Sequence, residues 1–233
     1  MRFMYDVFFL SYDEPYAEQY WEVLKGQHPS ARRCKGIAGI QAAHAKCAEK
    51  SRTPHFFVVD ADNQVIRPEI FAYRVPEWDA GYVHLWYAKN SVNGLTYGWG
   101  GIKLFPKKLF NDATGRRLDM TTSFPLKIIE DVASITHFNT TPYETWRSAF
   151  RECVKLSQSD DPEAIERLEA WCKPVSGYSP PYAEWATRGA QDGVEYGTRN
   201  HDDFDALMSI NDYAWLKDRF DLISGHVARP DSL

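Results

Sequence analysis

Two carboxylates one residue apart, Asp60 and Asp62, follow an apolar run that starts at Phe56. A buried strand ending in Asp-x-Asp delivers two hard oxygen ligands to one point at a sheet's edge. A divalent cation takes such a donor set when it keeps other positions open for a substrate's phosphates. The competing reading is a strand followed by a polar turn, since Asp and Asn are ordinary turn residues and Asn63 comes next. Other reactive residue types fall into groups elsewhere. Arg32, Arg33 and Lys35 form a short basic segment against Gly36. Gly98, Gly100 and Gly101 crowd around Trp99, and His137 closes a later apolar run with Asp131 upstream of it. Arg147 and Arg151 share one helix face, which suits phosphate contact or simply a solvated surface.

These groups need elements to bring them together. Asp6 to Tyr12 is almost continuously apolar, as expected of a strand buried on both faces. Pro15 then opens a helix bearing Tyr16, Tyr20 and Leu24, with Gly26 as its stop. The basic segment is a second strand. It leads into an Ala-rich helix, Gly36 to Ala48, with small residues for close packing. A helix N-terminus beside basic residues suits a diphosphate, and the glycines serve equally well as packing devices. The Asp-x-Asp strand follows. Strand–helix–strand–helix–strand implies a parallel sheet, whose ligands bind beyond the strands' carboxyl ends. Ser11, Tyr12, Gly36, Asp60 and Asp62 all fall at such ends. Residues 64–80 read as irregular, Val83 to Ala88 and Lys127 to His137 as strands, and Thr141-Pro142-Tyr143-Glu144 as a capping box that opens a helical remainder. A tryptophan on a glycine hinge suits covering a ligand, or else packing in a tight hairpin.

Composition bounds the classes. The 233 residues, 44% apolar and 25% charged, describe a globular chain with a full core. No stretch approaches the ~20 apolar residues that span a bilayer, so no membrane partner is expected. The cysteines Cys34, Cys47, Cys153 and Cys172 lack metal spacing and scaffold density, which points to a reduced, cytoplasmic protein. A net charge of -5 argues against a surface coated for nucleic acid, although not against a local basic groove.

Taken in order, Ser11-Tyr12, the Gly36 helix, Asp60-Ala61-Asp62, Tyr97-Gly98-Trp99-Gly100-Gly101 and His137 resemble the layout of small GT-A-type glycosyltransferases. The resemblance covers the larger, N-terminal part of the chain. It implies an α/β fold: a GT-A-like single domain with a mostly parallel central sheet, flanking helices and a helical C-terminal part. The core would span residues 1–140, with a helical extension over 141–233 packed on it. The implied activity is metal-dependent sugar transfer from a nucleotide sugar, UDP-linked, to an acceptor hydroxyl. Manganese or magnesium would rest on Asp60, Asp62 and His137. Ser11, Tyr12, Arg33, Lys35, Gly36, His44, Asp60 and Ala61 would line the donor site, Tyr12 stacking on the nucleobase and Arg33 and Lys35 meeting phosphates. Trp99, Gly100, Gly101 and Lys103 would border the acceptor.

One departure concerns the base. Inverting members with a Trp-Gly-Gly segment often follow it with acidic residues, one of them the base, whereas Lys103, Leu104 and Phe105 stand here. Either Asp131 is the catalytic base, or the enzyme retains configuration and needs none, and Asp131 is a strand-edge carboxylate. Thr145 to Cys153 also resembles phage-encoded glycosyltransferases that modify hydroxymethylated pyrimidines. That likeness implies a double-stranded DNA acceptor, met by Lys103, Lys107, Lys108, Arg116 and Arg117, in the host cytoplasm. A glycan or protein acceptor, a nucleotidyltransferase, and an inert sugar- or nucleotide-binding module are the alternatives.

Overall fold

The structure, a computed structural model, describes residues 4–98, 101–110, 118–119, 121–173 and 180–227. It divides into two compact units, Met1–His137 and Phe138–Leu233. The first is α/β. Its elements are β1 (Asp6–Ser11), α1 (Ala17–Gln27), β2 (Arg32–Lys35), α2 (Ile40–Lys50), β3 (His55–Asp60), β4 (Asn63–Val65), β5 (Val83–Asn90), β6 (Thr96–Tyr97), β7 (Ile102–Pro106) and β8 (Leu126–Thr136). They form one sheet in the order β2-β1-β3-β7-β5-β8-β4, with β6 on β5.

The sheet is mixed, where the sequence suggested a mostly parallel one. β1 pairs with β2 and β3, and β5 with β8, in parallel. β7 runs antiparallel between β3 and β5, and β4 antiparallel to β8. The cause is the connection. A turn at Gly94, where φ is +73°, follows β5, and among the described residues no helix lies between β5 and β7 to carry the chain back across the sheet. Without a crossover the returning strand must reverse direction. β1, β2, β3, β5 and β8 still point the same way, so their carboxyl ends share one edge.

The sheet also curls. β3 and β4 are separated in sequence only by Ala61 and Asp62, yet they pair with different neighbours along the sheet path. The path returns on itself where Gly101 N–H donates to Asn63 Oδ1 at 3.3 Å and His137 N–H donates to the Asp62 carbonyl at 2.8 Å. The Asp-Ala-Asp turn therefore sits where the curl closes. Each face carries a core, as continuous apolar strands require. Val7, Phe9, Phe57 and Val59 pack with Tyr20 and Leu24 of α1. Phe8, Leu10, Phe56, Val58 and Phe105 pack with Ala43, Cys47 and Ala48 of α2.

The second unit is helical: α3 (Pro142–Leu156), α4 (Pro162–Cys172), α5 (Ala183–Arg199), α6 (Phe204–Met208) and α7 (Tyr213–Val227). Thr141 Oγ1 accepts from Glu144 N–H at 3.1 Å, so the predicted cap forms. α5 turns Gly189 and Gly193 toward α3, where a Cβ on Gly193 would stand 2.5 Å from the Phe150 carbonyl oxygen. Among the described residues no helix is long and apolar enough to cross a membrane.

Candidate functional site

The common strand edge gathers the carboxylates. Asp60 ends β3, and its backbone N–H donates to Gly101 O at 2.8 Å. The pleat turns Asp60 to the α2 side, in step with Phe56 and Val58. Lys103 lies opposite Val58 in the β3–β7 register and so shares that side. Its buried ammonium donates to Asp60 Oδ2 at 2.7 Å. Asp60 Oδ1 is buried and has no partner. Lys103, expected at the acceptor, is thus committed to the Asp-x-Asp itself.

Asp62 accepts from Asn63 Nδ2 at 2.6 Å on Oδ1. Burial, then the charges of Asp60 and Glu14, push its carboxyl up to about 7. Glu14 is also raised, mainly by burial, although its Oε2 accepts from Tyr12 N–H at 2.8 Å. Three carboxylates thus meet one ammonium. The backbone of His137 reaches the same turn, its N–H donating to the Asp62 carbonyl. Its Nε2 pairs with Gln64 Oε1 at 3.2 Å and its ring is 5.5 Å from that of Tyr20. An amide oxygen only accepts, so Nε2 carries the proton and Nδ1 keeps its lone pair. Burial lowers the His137 pKa and keeps the imidazole neutral. Burial, then Tyr16 and Asp62, pushes the Tyr20 hydroxyl up to about 12.

On the α2 side, Gly39 caps the helix at φ 87° with no side-chain cap, and Gly36 bends the approach at φ +73°. His44 is buried against Phe105, their ring centres 5.2 Å apart, and its Nδ1–H donates to Ile40 O at 2.8 Å. Its Nε2 therefore keeps a lone pair, buried and without a partner. Burial brings its pKa down to about 4, with Asp60 pulling up and Lys103 down.

Other expected site residues are placed elsewhere. Ser11, Arg33 and Lys35 turn to the α1 side, opposite Asp60. Arg33 Nε donates to Ser11 Oγ at 2.8 Å, and Arg33 and Lys35 pair with Glu18 at 2.6 and 2.9 Å. Those two cations hold the Glu18 carboxyl down at about 2, Arg33 contributing most. Tyr12 is exposed beyond the end of β1, and Ala61 is fully buried in the turn. Asp131 is not brought to the cluster. It lies roughly 17 Å back along β8 from Thr136 at about 3.3 Å per residue, exposed and paired with Arg67 at 3.0 Å. Gly101 backs onto Asn63, whose side chain occupies the space a Cβ would need. Trp99, Gly100, Arg116 and Arg117 lie outside the described residues.

Glu14, Tyr20, Asn63 and Gln64 are members of the cluster that the sequence reading missed. Glu14 carries a signal, an acid directly after the strand that precedes α1. Asn63 passes for a turn residue in sequence.

Asp60 and Asp62 are the oxygens that would hold a hard divalent ion here. Asp60 Oδ1 and Asp62 Oδ2 take no protein hydrogen bond among the described residues, whereas the His137 ring packs on Gln64 and Tyr20. Among the described residues no three His, Cys, Asp or Glu side chains are grouped so as to hold a metal ion, so Asp60 and Asp62 would act as a pair. Two carboxylate oxygens leave the other positions to water and substrate oxygens.

No family model matches the chain, and no curated protein matches it. Among solved structures, one described as a glycosyltransferase involved in the glycosylation of the major capsid of PBCV-1 is 12% identical, with a TM-score of 0.35 over 56% of this chain and 94% of that one. At that similarity, function has to be argued from the site itself.

Proposed function

We propose that the chain is a glycosyltransferase whose first unit binds a nucleoside-diphosphate sugar through a divalent ion on Asp60 and Asp62. The observation that carries this reading is the charge imbalance at the strand ends. Glu14, Asp60 and Asp62 lie within reach of one another's charge, the ammonium of Lys103 is the one ion-pair partner they have among the described residues, and the Asp62 carboxyl is pushed up to about 7. A second positive charge at that place would relieve Asp62, and a manganese or magnesium ion is the species the oxygens suit. When bound, the ion supplies positive charge to a leaving diphosphate.

The protein's own groups do the rest. Lys103 neutralises Asp60 Oδ2 and leaves the buried Oδ1 without a hydrogen bond. The first amides of α2 lack a side-chain cap, so their N–H groups suit an anionic oxygen beyond the helix start. Exposed Tyr12 offers a face for a nucleobase. The UDP preference, the retained or inverted outcome and the acceptor are proposals of a finer grain. For hydroxymethylpyrimidine DNA the local support is thinner than its sequence pattern, because Lys103 is taken by Asp60 and Lys107 donates to Ser51 O at 2.7 Å.

A donor-hydrolysis screen across nucleotide sugars, with manganese and with chelator, tests this reading. Metal-dependent release of nucleoside diphosphate is expected, lost in Asp60→Ala and Asp62→Ala. Release of pyrophosphate instead would make the chain a nucleotidyltransferase. Near wild-type turnover by Asp62→Ala would remove the ion from this site. For the acceptor, transfer to hydroxymethylated DNA should weaken steeply with salt, and salt-insensitive transfer to a saccharide would exclude DNA.

A further inference from the structure

Asn63 is the most heavily connected polar side chain in the strand-end cluster, and it is 1% exposed. Its Oδ1 takes three donors from two other strand segments: Gly101 N–H at 3.3 Å, Ser134 Oγ at 3.0 Å and Thr136 Oγ1 at 2.7 Å. A backbone N–H can only donate, so the amide orientation is fixed by chemistry. The oxygen must face β7 and β8, and the NH2 must face the other way. There it donates to Asp62 Oδ1 at 2.6 Å. Gly101 supplies the room, because a Cβ at that position would overlap the Asn63 amide.

This has a directional consequence. The side chain tied to the strands where the curl closes is the one that hydrogen-bonds the second carboxylate of the Asp-x-Asp. It occupies one oxygen of Asp62 and leaves Oδ2 for a ligand. Lys103 does the same for Asp60, occupying Oδ2 and leaving Oδ1. We propose that Asn63 is a positioning residue for ion binding: it fixes the Asp62 carboxylate so that Oδ2 meets a divalent cation through one oxygen. The inference rests on the reading of Asp60 and Asp62 as ion ligands and goes beyond it by assigning the group that orients them. Partners that orient ligands are typically worth 10–100-fold in ion affinity.

The test is a manganese titration without nucleotide, read by electron paramagnetic resonance, with thermal midpoints recorded alongside. Asn63→Ala removes both sides of the amide. The double variant Ser134→Ala/Thr136→Val strips donors from Oδ1 and leaves the bond to Asp62. Both should melt below the wild type. Asn63→Ala should bind manganese at least about tenfold more weakly, while the double variant stays within about threefold. A purely structural Asn63 would weaken binding equally in both, and that result overturns the proposal, as does Asn63→Ala binding within about threefold of wild type. Should Asn63→Ala not fold, Asn63→Ser makes the same comparison, since it keeps an acceptor and loses the amide donor. A wild type that binds no manganese at millimolar concentration overturns this inference together with the ion reading. Failure confined to the variants overturns this inference alone.

Discussion

Two groups of the site, half-buried Asp62 and buried His44, titrate against each other in the ion-free chain. Asp62 sits at about 7 against an ordinary 3.8, so it holds its proton more tightly when folded. Its contribution to stability is complete below pH 3.8 and is lost as pH rises through 7. His44 sits at about 4 against an ordinary 6.5 and holds its proton less tightly when folded. Its contribution is complete above pH 6.5 and is lost as pH falls through 4. Each is on the order of 3 kcal/mol, with opposite slopes over nearly the same window. Asp62→Asn should therefore expose what wild type conceals. In chelator at pH 8 the variant should melt roughly 5–10 °C above wild type, although it has lost turnover. On acidification from pH 6.5 towards 4 its midpoint should then fall, following His44. Manganese at pH 8 should raise the wild-type midpoint and leave the variant's unchanged. Differential scanning fluorimetry across pH 4–8 measures all of this. A variant melting no higher than wild type at pH 8 would mean that Asp62 is not held in a charge-starved place.

At the scale of elements, the site depends on how closely β7 approaches the turn after β3. Gly101→Ala puts a methyl into the Asn63 amide, and overpacking of this kind costs about 1–3 kcal/mol. Urea unfolding should record that loss. Gly26→Ala in α1, where nothing stands within 4 Å, should be neutral or stabilising by up to about 1 kcal/mol. Equal effects of the two would argue against the close approach. The same contrast marks how far the sequence could be read. Continuous apolar runs announced β1, β3 and β5, the capping box announced α3, and the alternation announced a common strand edge with Asp60 and Asp62 on it. α1 was announced by its apolar spacing, but it runs Ala17–Gln27 with Gly26 inside it rather than as its stop. The three residues of β4 carry no periodicity, so the strand that closes the curl was invisible. The direction of β7 depended on the absence of a crossover helix in a stretch read as loop and hairpin. Which face a strand residue occupies depends on register, so the meeting of Arg33 and Lys35 with Glu18, and of Lys103 with Asp60, could not be read from spacing. Asp131 was near His137 in sequence, but β8 extends for 11 residues and carries it away.

At the scale of the whole molecule, the two units hold themselves together by different means. The first relies on a curled sheet with a core on each face. In the second, α3 and α5 meet backbone to backbone at Gly193, and a ring cluster of Trp146, Phe150, Tyr196, Trp215 and Phe220 packs between helices. The Arg219 guanidinium lies over Phe150, Tyr196 and Trp215 at 5.3, 4.9 and 5.5 Å. An aromatic core of that size, with helix starts capped by Thr141, Asp161 and Asp203, should let residues 138–233 fold alone. The expected result is a helical circular-dichroism spectrum with one cooperative melt, weakened by Gly193→Ala by about 1–3 kcal/mol. A non-cooperative trace would mean that the unit has no independent core. The ion reading then makes an asymmetric demand. Every candidate ligand belongs to the first unit, so manganese should protect amides of β3, β4 and the end of β8 from hydrogen exchange in the full chain. Amides of α3 and α5 should exchange as before. Protection spread evenly over both units would place the ion's effect outside the Asp60–Asp62 turn, and protection in the helical unit alone would remove it from the sheet altogether.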